Sequence, residues 1–444
     1  MSESLLGPGD LNPFSPDFGQ TPAHLVGRDG LTRSLGTGLA SGPTARNFTS
    51  LLMGPRGSGK TVVLTEMEQR AAASGWIVIS LDASTPGILD RVRQSVTHTW
   101  TEYEGADAAD PDRDRPGRWS GTTLGPVGLQ RSVLSEVRPE WDARHLLTKL
   151  AEHAQQADTS VLMTIDEMQS GDRNELRRLS ADLQHITKRA HLPLAVMSAG
   201  LSEMNHTLLL DKKMTFFRRC ARFDMPGLSA ADIIAGLRIP VAESGGSIDS
   251  DALDFAAQAC GSLPYEMQLI GYHAWTIAGA PRHPIQTEAV RHACDLASQS
   301  VLDDLVVPAW HDQSRSHQEF LGAVADAGGQ ARPEQLAACL DYNFVTLSEI
   351  SERLIACGYL AEANDGTLSL TDLMPVGAIQ GIMESRRRFQ IAGGPSTGSS
   401  DGRGKRVSSD RCEEYMPRAK AHCVLPRGHS GGHRSGARRP RRRQ

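Results

Sequence analysis

Five short apolar runs, at residues 48–53, 77–81, 161–165, 194–198 and 222–225, divide the first half of the chain. Between them lie stretches with apolar residues at helical spacing, such as Val62, Val63, Leu64 and Met67. Apolar strands alternating with helices predict a mostly parallel sheet covered on both faces, an α/β fold. After Ser229 the strand-like runs stop. Residues 230–237, 250–260, 264–278 and 287–302 read as helices and predict a small α-helical lid of the kind that closes over a ligand. Over 316–383, helices at 319–327, 333–340 and 347–357 precede short strands at 359–360 and 367–370 around the turn Asn364-Asp365-Gly366, the order of a winged helix. Residues 1–22 are rich in Gly, Pro and Ser and read as irregular, with Asn12-Pro13-Phe14 tacked onto the body. Residues 102–117 read as an acidic Pro/Gly-rich loop followed by a hairpin insertion, and from Ser385 the chain reads as disordered. The expected domains are therefore 1–22, 23–229, 230–305, 306–384 and 385–444.

Composition bounds this picture. At 444 residues the chain exceeds one core, and 39% apolar residues suffice for folding. No apolar stretch approaches the roughly twenty residues of a membrane span, and no basic stretch followed by a hydrophobic one opens the chain. A soluble cytoplasmic protein without a membrane partner is expected. Cys220, Cys260, Cys294, Cys339 and Cys357 are scattered singly, as befits reduced cysteines rather than a disulfide framework. The net charge of −5 conceals an asymmetry: residues 385–444 carry 16 Lys+Arg and 4 Asp+Glu, a net +12, leaving −17 on residues 1–384. Such a tail can bind nucleic acid or mask its own body.

The chemistry is carried by two motifs. Gly54, Pro55, Arg56, Gly57, Ser58, Gly59, Lys60 and Thr61 spell a complete G-x-x-x-x-G-K-[ST] phosphate loop between a strand and a helix. Its glycines let backbone N–H groups converge on phosphate oxygens, Lys60 reaches the β- and γ-phosphates, and Thr61 offers a hydroxyl to Mg²⁺. About a hundred residues later, an apolar strand ends in Asp166-Glu167. Asp166 can share the Mg²⁺ shell with Thr61 while Glu167 polarises the attacking water, since phosphoryl transfer needs positioning and charge stabilisation above all. ATP and Mg²⁺ are the expected cofactors.

These residues resemble the origin-recognition-type AAA+ ATPases, in particular an AAA_16-like group of actinobacterial ATP-binding proteins. The resemblance extends from Asn12-Pro13-Phe14 and Gly27-Arg28-Asp29 to Gly261-Ser262-Leu263-Pro264-Tyr265 and the winged helix, about residues 12–383. It implies a P-loop NTPase sheet forming an AAA+ core, ATP hydrolysis and ATP-dependent oligomers. It puts Arg28 near the adenine, Ser198 at the tip of its strand sensing the γ-phosphate, and Arg219 as an arginine finger, with Arg218 and Arg222 as rivals. The lid helix departs from many AAA+ proteins by lacking a basic residue. Its G-x-L-P form resembles STAND signalling ATPases, in which the proline region, here Pro264, touches the nucleotide.

The resemblance therefore implies a slowly hydrolysing switch whose nucleotide state sets lid and winged-helix position and partner binding. A DNA-binding initiator or loader, and a nucleotide-binding module without useful turnover, are the alternatives. The third helix of the winged helix carries Glu349, Glu352 and a single Arg353, which favours a protein partner over DNA, although the arginine-rich tail could supply nucleic-acid contact. Cys412, Cys423, His429 and His433, with His422 as a rival, can complete a tetrahedral Zn²⁺ shell at 412–433.

Overall fold

The computed structural model describes residues 11–16, 22, 24–109, 142–189, 191–205, 207–371 and 373–392. Two compact units divide the chain, Met1–Arg387 and Arg388–Gln444, and nearly all of the described structure belongs to the first. Its first half alternates strand and helix: α1 (Asp29–Ala40), β1 (Thr49–Met53), α2 (Lys60–Ala73), β2 (Ile77–Asp82), α3 (Ile88–Ala109), α4 (Ala143–Gln156), β3 (Val161–Asp166), α5 (Arg173–Gln184), β4 (Leu194–Gly200), α6 (Thr215–Arg219) and β5 (Ala221–Asp224). All five strands pair in parallel, in the order β2-β3-β4-β1-β5.

The sheet is parallel because its strands are apolar on both faces. Leu52, Leu162, Ala195, Met197 and Ala199 pack against α1 and α2 on one side. Leu51, Ile79, Met163, Ile165, Leu194 and Val196 pack against α3, α4, α5 and α6 on the other. Each strand alternates its side chains between these two cores. The five expected strands and the α/β class are all present, matching a P-loop NTPase sheet followed by a helical C-terminal region.

From Ala230 the chain is helical: α7 (Ala230–Glu243), α8 (Ser250–Ala259), α9 (Pro264–Ala278), α10 (Thr287–Val301), a π-helical stretch at Leu302–Val306 and α11 (Val307–His311). Then come α12 (Arg315–Asp326), β6 (Gln330–Ala331), α13 (Pro333–Leu340), α14 (Phe344–Ala356), β7 (Leu360–Glu362), β8 (Leu368–Leu370) and α15 (Val376–Ala392), with a small antiparallel sheet in the order β6-β8-β7. One continuous apolar core runs through all of these elements, from Leu237 and Trp275 through Trp310 to Phe320, Leu354 and Ile379.

Phe14, 3% exposed, joins that core from the N-terminal segment. Asn12 clamps it there by donating to the Tyr272 carbonyl at 2.9 Å, and the Ser15 N–H donates to Gln268 Oε1 at 3.2 Å. Gly271 makes the fit possible, because a Cβ there would lie 2.5 Å from the Phe14 ring.

Two expectations are corrected. Residues 102–109, expected in an acidic loop, continue α3 to Ala109, since Ala106, Ala108 and Ala109 favour helix and the first proline comes only at 111. The chain also stays helical past Ser385, as far as Ala392. The expected hairpin insertion after residue 117 and the Cys/His group at 412–433 lie outside the described residues.

Candidate functional site

The phosphate loop leaves the C-terminal end of β1 and turns into α2. Gly57 (φ +77) and Gly59 (φ +86) adopt left-handed backbone that side-chain-bearing residues rarely occupy. Gly59 caps α2 without any side-chain acceptor, so the first amides of that helix stay open to an anion at the positive end of its dipole. Lys60, 5% exposed, folds back over the loop and donates to the carbonyls of Gly54 (3.0 Å) and Pro55 (2.8 Å). Burial lowers its pKa to about 8, outweighing the attraction of Glu167 and Asp166.

The sequence separates Thr61 and Asp166 widely, and the fold joins them. Strand β3 lies two places from β1 in the sheet, and its last residue, Asp166, faces the first turn of α2. Thr61 Oγ1 donates to Asp166 Oδ2 at 2.5 Å, while Asp166 Oδ1 accepts the Glu167 N–H at 2.8 Å. A hydroxyl and a carboxylate in contact beside an anion-binding helix end form the hard-oxygen donor set that suits Mg²⁺, which keeps several waters and needs few protein ligands. Among the described residues no group of three or more His, Cys, Asp or Glu gathers around a metal position, so phosphate oxygens and water would complete such a shell.

Glu167 lines a cavity of about 230 Å³ together with Lys60, Thr61, Arg28, Arg56 and Pro264. Its far wall is built by the N-terminal segment and α9, through Ser15, Pro16, Pro22 and Gln268. Arg28, 3% exposed, donates to the Ser58 carbonyl at 3.1 Å and so ties the start of α1 to the loop. Burial lowers its pKa, with Asp232 pulling the other way. Pro264 opens α9, and the next residue, Tyr265, donates its N–H to the Gly57 carbonyl at 3.3 Å. The Tyr265 hydroxyl donates to Asp304 at 2.7 Å, and Arg56 pairs with Asp312 at 3.2 Å. The C-terminal helices therefore touch the phosphate loop itself.

Two expected site residues are placed elsewhere. Ser198 stands inside β4, paired with Leu51 and Ile165, because the strand runs on to Gly200. It shares the face of Leu194 and Val196, is fully buried, does not line the cavity, and its Oγ has no hydrogen-bond partner. Arg219 and Arg218 are exposed at the end of α6, just before the residue that pairs with Ser50, at the end of β1 remote from the loop. Arg222 is exposed and donates to Asn205 at 3.4 Å. None of the three lines the cavity.

Residues that motif reading missed include Gln169, Gln268, Asp304 and Asp312. Gln169 bridges Glu167 and the N–H of Leu201, at the end of β4. The turn that follows carries Glu203, which accepts the Cys357 thiol at 3.4 Å from the end of α14, and burial beside that carboxylate pushes the thiol pKa up to about 12. Only Gln169 has a local signal, its position two residues after the acidic pair.

Residues 24–197 match the AAA_16 family, described as an AAA ATPase domain. No curated protein matches the chain. Among solved structures, the Walker-type ATPase paby2304 of Pyrococcus abyssi superposes with a TM-score of 0.57 at 13% identity, covering 80% of this chain and 96% of its own. The ORC2 protein of Aeropyrum pernix, as ADPNP-ADP complexes, gives a TM-score of 0.57 at 14% identity, covering 85% and 98%. At such identities the likeness is one of fold. Residues 24–197 thus match an AAA ATPase domain, and the likeness of fold to the two solved structures extends well beyond those residues.

Proposed function

We propose that the chain is an ATP-binding, slowly hydrolysing regulatory switch. Lys60 and the open amides of α2 bind the phosphates, Thr61 and Asp166 hold Mg²⁺, and Glu167 orients and polarises the water. A metal held by Thr61 and Asp166 would supply charge neutralisation at the phosphates, and everything else is positioning by the chain's own groups. The bond between Thr61 and Asp166 carries this reading, because it joins the two motifs around the position that a metal-bound triphosphate needs. The Aeropyrum protein of like fold, with ADPNP and ADP bound, agrees with an adenine nucleotide in the cavity.

The switch has its basis in the contacts between the loop and the C-terminal helices, through Tyr265 N–H on Gly57 and Arg56 on Asp312. Helices α7–α10 act as a lid, and α12–β8 act as a winged helix that docks a protein. Residues 315–385 carry 10 Asp+Glu against 3 Lys+Arg, a balance that disfavours phosphate contact with DNA. Nucleotide state then shifts the lid by differential contact, the general logic of nucleotide switches. Glu167→Gln is expected to bind ATP and stall phosphate release, and amide exchange across residues 261–312 is expected to slow with ATP relative to ADP. Normal phosphate release by the variant removes Glu167 from the mechanism, and identical exchange in both nucleotide states removes the switch.

A further inference from the structure

Among the described residues, Glu167 is one of four with a side chain that adopt left-handed backbone, at φ +51, directly after β3. That turn points its carboxylate at the cavity and brings Gln169 alongside. The Gln169 carboxamide lies between two fixed partners. Its Oε1 accepts the Leu201 N–H at 3.0 Å, and its Nε2 donates to Glu167 Oε2. The partners dictate this orientation, since a backbone N–H can only donate and a carboxylate can only accept. Gly200 leaves room for the amide, because a Cβ there would lie 2.7 Å from Gln169 Oε1.

We propose that Gln169 is the positioning residue for Glu167, anchoring one carboxylate oxygen to the end of β4 so that the other is presented to water. The inference rests on the assignment of Glu167 as the water-polarising group. The two hydrogen bonds of Gln169 reach neither the phosphate loop nor a residue assigned to metal, so its contribution is to orientation and not to nucleotide binding. A misplacement of about 1 Å in such a group can cost on the order of a hundredfold in rate.

The test compares ATP turnover and ATP affinity in wild type, Gln169→Leu, Gln169→Glu, Glu167→Gln and the double variant Gln169→Leu/Glu167→Gln. Gln169→Leu removes both hydrogen bonds. Gln169→Glu keeps an acceptor for Leu201 but replaces the donor toward Glu167 with a second carboxylate, and it carries the test should the leucine variant fail to fold. Both Gln169 single variants are expected to lose at least tenfold in kcat, with ATP affinity by calorimetry within twofold of wild type. The double variant should be no slower than Glu167→Gln alone. Wild-type kcat in Gln169→Glu, or a fall in kcat matched by an equal loss of ATP affinity, overturns the inference while Glu167→Gln still stalls. Normal turnover in Glu167→Gln overturns the assignment on which it rests as well.

Discussion

The depressed pKa of Lys60 makes ATP binding proton-linked. In the free protein the ammonium is buried against two carbonyls, and loss of water holds its pKa at about 8, against 10.5 for an ordinary lysine. About one chain in ten then has a neutral Lys60 at pH 7 and about nine in ten at pH 9. Bound triphosphate surrounds the same group with negative charge and returns it to the cationic form. Binding therefore takes up about 0.1 proton at pH 7 and about 0.9 at pH 9, and Kd rises about tenfold per pH unit above pH 8. The terminal phosphate, with a pKa of about 6, is about nine-tenths ionised at pH 7 and almost wholly ionised at pH 9, so it can offset the small uptake at pH 7 but leaves the uptake at pH 9 intact. Calorimetry in buffers of different ionisation heat, at pH 7 and pH 9, measures the uptake directly. Lys60→Arg is the control, since its guanidinium does not titrate there and its uptake should vanish. Proton uptake that stays flat between pH 7 and pH 9 refutes the placement of Lys60 at the phosphates.

Two further outcomes follow from close packing. Gly57→Ala forces a left-handed alanine and brings its Cβ to 3.0 Å from Leu305 and 3.2 Å from Tyr265, so stability should fall by about 1–2 kcal/mol, with ATP Kd rising at least tenfold by calorimetry. Gly271→Ala drives a methyl group into the Phe14 ring and should expel the N-terminal segment, costing about 2 kcal/mol of burial in thermal unfolding and weakening ATP binding through loss of the wall at Ser15 and Pro16. Phe14→Ala should reproduce that phenotype, and wild-type behaviour in both variants would detach the segment from the site.

The sheet was legible in the sequence because a strand buried on both faces must be apolar throughout, and a run as short and as apolar as Val161–Asp166 fits such a strand better than a surface helix. The ends of elements were less so. Ala199 and Gly200 prolong the apolar run of β4, so Ser198 read as a tip when the ladder continues past it to pair Met53 with Gly200. Strand β6 has two residues, too few for any period, and exists because β8 pairs with it. The phosphate loop and the acidic pair were legible because their chemistry is local in sequence. Contacts that close the site were not: Asp312 meets Arg56 across 256 residues, and no pattern in the phosphate loop or at the end of α11 announces the other.

Those long-range contacts decide what the loop can do. The ion pair of Arg56 and Asp312 is exposed, so its worth in stability is small, and its consequence is where Arg56 points. Gly57 is a different matter, because its carbonyl accepts from Tyr265 and Leu305 closes over its α-carbon. A phosphate that shifts Gly57 acts on α9 and on the Leu302–Val306 stretch together, and one that draws Arg56 from Asp312 acts on the end of α11. Coupling of this kind is reciprocal: whatever factor ATP applies to a partner held by the C-terminal elements, that partner applies to ATP affinity. On the proposed switch, a protein that grips α12–β8 resets nucleotide affinity without approaching the cavity, and the junction of Glu203 with Cys357 offers it a second route, through Leu201 and Gln169, to Glu167.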